Sequence, residues 1–109
     1  MTFLDYQRQA ATFATYPAGS MYPFLGLAEE AGEVAGKVAK RLRKVGESGA
    51  FQDAELKAAV SKELGDVLWM TAACAASFGL SLDDVARENI DKLTDRKARG
   101  VIVGEGDDR

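Results

Sequence analysis

The sequence predicts an all-α protein, a four-helix-bundle-like subunit. Apolar residues recur at spacings of three and four through most of the chain, which is the period of an amphipathic helix. Both prolines, Pro17 and Pro23, fall in one early connector, and no apolar–polar alternation is long enough to build a sheet. With 109 residues, of which 47% are hydrophobic and 28% charged, the chain has the size and composition of one folded domain. We therefore treat residues 1–109 as a single domain.

Four helices follow from the apolar period and from the helix-breaking residues. The first is predicted over residues 3–15, the second over 24–43 or 24–45, the third over 53–78 and the fourth over 81–99. Loop residues fill positions 46–52, and Gly79 followed by Ser81 predicts a tight stop and restart. Residues 100–109 are rich in glycine and aspartate, and they predict an extended or ligand-ordered tail rather than more helix.

Charge and composition narrow the classes of partner. Seventeen acidic residues against fourteen basic ones give a net charge of −3, which offers no general attraction to nucleic-acid polymers or anionic membranes. The longest nearly apolar run, residues 67–80, is too short to span a bilayer, and the N-terminus does not read as a signal peptide. We expect a cytoplasmic protein.

The absence of histidine removes several kinds of chemistry. It excludes zinc sites of the Cys/His type, His-centred nucleophilic triads, histidine general bases and the Glu-x-x-His pattern of di-iron bundles. Cys74 is the only cysteine, so it forms no internal disulfide, and its apolar surroundings predict core packing. Any chemistry must use carboxylates, lysines, arginines and hydroxyls.

Two acidic motifs stand out on predicted helices. They are Glu29-Glu30-Ala-Gly-Glu33 in the second helix and Glu63-Leu-Gly-Asp66 in the third, each with carboxylates three residues apart. Residues i and i+3 share one helix face, so antiparallel packing of the two helices would bring these carboxylates together. All-oxygen ligation without histidine or cysteine suits Mg²⁺, with Mn²⁺ as the alternative.

An ordinary solvated surface is the competing interpretation. It suits the second helix, where the glutamates point away from the apolar stripe. In the third helix Glu63 and Asp66 fall within an apolar surface, where unpaired carboxylates would be costly, and this favours a metal site. Gly32 and Gly65, inside the two motifs, further predict close helix–helix approach.

The ordered pair of acidic motifs resembles the MazG-like all-alpha nucleoside triphosphate pyrophosphohydrolases. The resemblance continues through a basic segment, Asn89 to Gly100, and covers about residues 24–109. It implies Mg²⁺-dependent hydrolysis of a nucleoside triphosphate to monophosphate and pyrophosphate, in homodimers or homotetramers. It also implies that Glu30, Glu33, Glu63 and Asp66 are metal ligands, and that Glu29 matches an additional acid of the family.

Catalytic and substrate-binding roles follow from the chemistry of that reaction. A carboxylate base beside a metal-bound water can activate the nucleophile, and spacing leaves Glu29 and Glu33 both open for this role. On the fourth helix Asn89, Lys92 and Arg96 lie on or beside the apolar stripe, where they could contact triphosphate or ribose; structural snorkelling is the alternative. Among the aromatic residues, Trp69 is predicted to be core or interface, while Tyr22 and Phe24 are weaker candidates for a base pocket.

Three other functions remain open at this point. One is a related enzyme acting on dUTP together with dUDP, and another is a hydrolase of phosphoribosyl-ATP. The third is a non-catalytic helical regulatory or oligomerisation module that only binds a divalent cation, although acidic residues at all four ligand positions speak against it.

Overall fold

The computed structural model describes all 109 residues and contains four α-helices and no β-strand. Helix α1 spans Phe3–Ala11, α2 spans Tyr22–Val45, α3 spans Ala54–Ser77 and α4 spans Leu82–Ala98. A short 3-10 turn, Ala50–Gln52, lies in the connection between α2 and α3. The predicted all-α class and the number of helices are confirmed.

Helices α2 and α3 form an antiparallel hairpin. Their contacts run in opposite directions along the two sequences: Gly26 lies against Met70, Lys37 pairs with Glu63, and Arg41 pairs with Asp53. Asp53 also caps α3 by accepting a hydrogen bond of 3.1 Å from the backbone N–H of Leu56. The hairpin therefore places the two acidic motifs face to face.

Close contact between the two helices depends on a different glycine from those expected. A Cβ atom built on Gly26 would lie 2.6 Å from Met70 Sδ, so only glycine fits there without a shift of the methionine. No atom lies within 4 Å of a Cβ built on Gly32 or on Gly65. The expectation of close approach at those two positions is therefore wrong within the subunit.

Two helix boundaries differ from prediction at the N-terminal end of the chain. Helix α1 ends at Ala11 rather than at residue 15, because Thr12 folds back and donates a hydrogen bond of 2.7 Å from its hydroxyl to the Gln9 carbonyl. Helix α2 begins at Tyr22, so Pro23 lies inside its first turn, where a missing N–H has no cost. The predicted start at residue 24 was two residues late.

Helix α3 is the centre of the subunit and packs against the other three helices. Between α3 and α4 the chain turns by 99°. Gly79 allows this turn with a positive φ of 69°, and Ser81 then caps α4 by accepting a bond from the Asp84 N–H. No single helix is long and apolar enough to cross a membrane; α3 and α4 meet the length and composition test only when taken together as a bent pair.

The subunit leaves much apolar surface uncovered. Only nine of the 109 residues are buried, among them Met70, Ala72 and Leu82. Large apolar side chains stay exposed at the loop end of the hairpin, including Val45 and Phe51, and Leu64 is exposed in the middle of α3. A monomer rarely leaves so much apolar surface open to water without a partner for it.

Candidate metal centre

Three carboxylates converge where the two acidic motifs face each other. One oxygen from each of Glu30, Glu63 and Asp66 lies within 4.8 Å of the others, and all three residues are half-buried. Glu30 comes from α2, while Glu63 and Asp66 come from successive turns of α3. The structure thus brings together three of the four residues predicted as metal ligands.

The electrostatics of this cluster favour a bound cation. Partial burial, followed by the negative charges of Asp66, Glu29, Glu63 and Glu33, raises the pKa of Glu30 above its ordinary value. Clustered carboxylates repel one another, and a divalent cation between them would remove that repulsion. The donor set is made only of carboxylate oxygens, which fits a hard cation and does not fit zinc or copper.

Glu29 and Glu33 lie beside the cluster rather than in it. Both side chains are exposed, and neither joins the group of converging oxygens, although both charges act on Glu30. Glu33 was predicted as a fourth ligand and both residues as candidate bases; these roles stay predictions.

Lys37 is a member of the site that the sequence interpretation missed. Its Nζ lies 3.6 Å from Oε1 of Glu63, and Glu63 has only 16% of its side chain exposed. Lys37 follows Glu30 and Glu33 at i+7 and i+4, so its position on the acidic face of α2 was readable from helical spacing. It places one positive charge at the edge of the carboxylates.

An apolar pocket of about 510 Å³ opens beside Asp66, between α1 and α3. Burial, and then the charge of Asp66, raises the pKa of the Tyr6 phenol above its ordinary value of 10.0. The hydroxyl is a hydrogen-bond donor at neutral pH, as any tyrosine is. Trp69 donates from Nε1 to the Ala10 carbonyl at 3.2 Å, which fixes its ring in the wall. The pocket is lined by Met1, Tyr6, Gln9, Ala10, Phe13, Gly65, Asp66 and Trp69. Aromatic walls with a few polar groups are the usual character of a small-molecule site.

The aromatic residues of this pocket are mostly not the expected ones. Trp69, predicted as core or interface, is half-buried and forms part of the wall. Tyr22 packs instead on Tyr16 with ring centroids 5.6 Å apart, and Phe24 meets Phe78 edge to face at 5.8 Å. Neither lines the pocket beside Asp66. The apolar face of α1 was the signal that could have indicated the pocket.

The predicted substrate-binding residues on α4 occupy two different environments. Asn89 and Lys92 are exposed, whereas Arg96 is buried with 5% of its surface accessible. The C-terminal tail covers Arg96: its Nη2 donates to the Asp107 carbonyl at 2.5 Å, and the Asp107 carboxylate lies 3.5 Å from both Arg96 and Lys92. The tail therefore folds back on α4, and these two cations pair with it rather than with the acidic cluster.

Cys74 lies on α3 and forms no disulfide, and it is half-buried rather than within the core where it was predicted. Burial raises the pKa of its thiol, so it is less reactive than an exposed cysteine.

The sequence of the chain matches a known protein family. Residues 22–101 match the MazG nucleotide pyrophosphohydrolase domain, and the chain therefore belongs to the MazG family. The chain is also 39% identical, over 112 aligned positions, to "Gene 37 protein" of Mycobacterium phage L5. That alignment covers 95% of this chain and 96% of the phage protein. No solved structure matches the chain at a significant level.

Proposed function

We propose that the protein hydrolyses a ribo- or deoxyribonucleoside triphosphate to the monophosphate and pyrophosphate, with Mg²⁺ as its cation and Mn²⁺ as a substitute. Membership of a nucleotide pyrophosphohydrolase family supports the class of reaction. The observation that carries the proposal is the convergence of Glu30, Glu63 and Asp66 beside a pocket of a size and character suited to a nucleobase. Removal of non-standard or surplus nucleotides in the cytoplasm is the cellular role that this reaction would serve.

Each group at the site has a part in this reaction. Glu30, Glu63 and Asp66 would hold the cation, which when bound neutralises phosphate oxygens and acidifies a water molecule. Glu29 or Glu33, exposed at the rim, would accept the proton of that water. Tyr6 and Gln9 offer hydrogen-bonding groups to the base, and Phe13 and Trp69 offer apolar walls. Asn89, Lys92 and Arg96 remain our candidates for the phosphate or ribose.

We also propose that the working form is a homodimer or homotetramer. The exposed apolar residues at the loop end of the hairpin support this, since they border a groove of about 360 Å³ that includes Val38, Phe51 and Leu64. Light scattering coupled to size-exclusion chromatography tests this directly. A mass of one chain across the working concentration range would contradict it.

A panel of natural and modified nucleoside triphosphates, incubated with and without Mg²⁺ and resolved by ion-exchange chromatography, tests the reaction. We expect monophosphate and pyrophosphate only when the metal is present. Hydrolysis of both dUTP and dUDP would instead indicate the diphosphate-accepting relative. Divalent-cation binding with no turnover on any nucleotide would favour the non-catalytic module.

A further inference from the structure

A basic groove leads away from the carboxylate cluster toward the loop end of the hairpin. It lies between the C-terminal half of α2 and the first turns of α3 and has a volume of about 410 Å³. Lys37 lines the groove and also contacts Glu63, so this side chain links the groove to the cluster. Its charged lining residues are Lys37, Lys40, Arg41, Lys44, Asp53 and Glu55.

The charges of this groove are unbalanced in favour of cations. Arg41 forms an ion pair with Asp53 at 3.2 Å and donates hydrogen bonds to the loop carbonyls of Gly46 and Ser48. Its role is therefore structural. Lys40 and Lys44, one helical turn apart, form no ion pair. Glu55 is the one remaining carboxylate. The groove therefore keeps two ammonium groups, on Lys40 and Lys44, that have no ion-pair partner, and their charge exceeds that of Glu55 by one.

The order of features along α3 gives the site a direction. The aromatic pocket contacts α3 at Gly65, Asp66 and Trp69, whereas the basic groove contacts it at Glu55, Leu56 and Ala59. Glu63 lies between them, and Asp66 lies at the edge of the aromatic pocket itself. Ala59 and Asp66 are seven positions apart, which is about 10 Å along the helix axis. The apolar pocket, the carboxylate cluster and the cations thus follow one another along the axis of α3.

We propose that the basic groove binds the pyrophosphate end of the nucleotide, so that substrate lies with its base toward α1 and its terminal phosphates along Lys37, Lys40 and Lys44. This proposal rests on the function proposed above. The reacting phosphate would then lie at the carboxylates, and the leaving pyrophosphate would depart along the cations. Ammonium groups without carboxylate partners suit this role, since a phosphate ligand would not have to displace an existing ion pair.

Titration calorimetry with inorganic pyrophosphate, in the presence of Mg²⁺ and on the full chain, tests the groove without requiring turnover. The groove variant is Lys40→Gln/Lys44→Gln, and the matched control is Arg43→Gln/Lys97→Gln, which removes the same net charge from exposed helical positions outside the groove. We expect the dissociation constant for pyrophosphate to rise about tenfold in the groove variant and less than about twofold in the control. Binding of nucleoside monophosphate should be unchanged in both variants.

Three results would each contradict the proposal that this groove binds pyrophosphate. The groove variant could bind pyrophosphate as tightly as the wild type does, or the control variant could lose as much affinity as the groove variant. The groove variant could also lose affinity for nucleoside monophosphate to the same extent as for pyrophosphate. These outcomes are separate from failure of the proposed function. If the wild-type protein hydrolyses no triphosphate but binds pyrophosphate through Lys40 and Lys44, the reaction is refuted and the anion groove stands. If turnover occurs and these lysines do not affect pyrophosphate binding, the groove alone is refuted.

Discussion

Gln7 on α1 and Leu82 at the start of α4 are joined by a hydrogen bond of 2.9 Å, from the Leu82 backbone N–H to the Gln7 side-chain oxygen. The amide nitrogen of the same side chain donates to the carbonyls of Ala72 and Leu80, at 3.1 Å each. Gln7 is only 8% exposed, so these bonds are shielded from water. One side chain thus ties α1 to the corner between α3 and α4.

We expect Gln7→Ala to destabilise the fold by about 2–4 kcal/mol, because it leaves several backbone groups in a shielded corner without partners. Gln7→Glu should also be destabilising, since a carboxylate cannot donate to the carbonyls of Ala72 and Leu80. Chemical denaturation measures both effects, with exposed Gln9→Ala on the same helix as the control. A free energy of unfolding unchanged in Gln7→Ala would show that the corner does not depend on this side chain.

Asp66→Asn should abolish the divalent-cation response of the protein. We expect Mg²⁺ to raise the Tm of the wild type and not of the variant, and nucleotide turnover to fall at least about a hundredfold. Without metal the variant should be no less stable than the wild type, because the substitution removes one of several repelling charges. Thermal unfolding with and without Mg²⁺ separates the two effects. Retention of both the Mg²⁺ shift and activity would remove Asp66 from the cation site.

Phe13→Ala should weaken binding of the base while sparing the phosphate end of the site. Phe13 is 67% exposed yet lines the pocket beside Asp66, so its removal takes away apolar contact with little effect on the core. We expect KM for the preferred triphosphate to rise about tenfold, with inhibition by pyrophosphate unchanged. Leu25→Ala, 72% exposed and outside this pocket, is the control. Equal KM values for the wild type, Phe13→Ala and the control variant would show that the base does not bind in this pocket.

Arg96 and Asp107 allow the tail contact and the nucleotide contact to be told apart. If Arg96 binds phosphate, the Asp107 carboxylate competes for the same guanidinium, and Asp107→Asn should lower KM by a few-fold while Arg96→Ala raises it. Steady-state kinetics of the two variants on one triphosphate measure this opposition. A matching rise of KM in both variants would assign Arg96 to holding the tail alone.

The tail contact should also depend on pH. The positive charge of Lys92 and the hydrogen bond from Arg96 lower the pKa of Asp107 below its ordinary value of 3.8. Because the pKa is lowered, the ion pairing of Asp107 stabilises the folded-back tail fully when the pH is above the ordinary pKa. This stabilisation is lost as the pH falls through the lowered pKa. Proteolysis of the tail by pepsin, compared between wild type and Asp107→Asn, should therefore differ above pH 3.8 and converge as the pH falls through the lowered pKa of Asp107. A constant difference between the two proteins across this range would contradict the ion pairing.

Local sequence patterns predicted the four helices and most of the acidic cluster. They did not predict the contacts between segments that are distant in the sequence. Glu63 and Asp66 are three residues apart within an apolar surface, and this pattern alone indicated a cation site. The structure brings both residues together with Glu30. The pocket wall at Tyr6 could not be predicted in the same way, because it depends on how α1 lies across α3. Helical periodicity shows which face of a helix is apolar and does not show which neighbour covers it.

The tail of the chain illustrates a second limit. Arg96 was readable as an inward-facing cation and Lys92 as a cation at the margin of the same stripe, but their partner, Asp107, sits in a segment without periodicity. No local rule links a glycine-rich terminus to a particular arginine, so an extended or ligand-ordered segment was predicted where the structure has a folded-back one.

The corner formed by Gln7 has a consequence for the order in which the protein assembles during synthesis. Its partners lie 65 to 75 residues further along the chain, and Trp69 reaches back 59 residues to Ala10. The N-terminal helix therefore leaves the ribosome long before the segments that hold it exist, and it must wait until α3 and the start of α4 have emerged. The wall of the aromatic pocket that α1 supplies is therefore translated well before the segments that hold it in place.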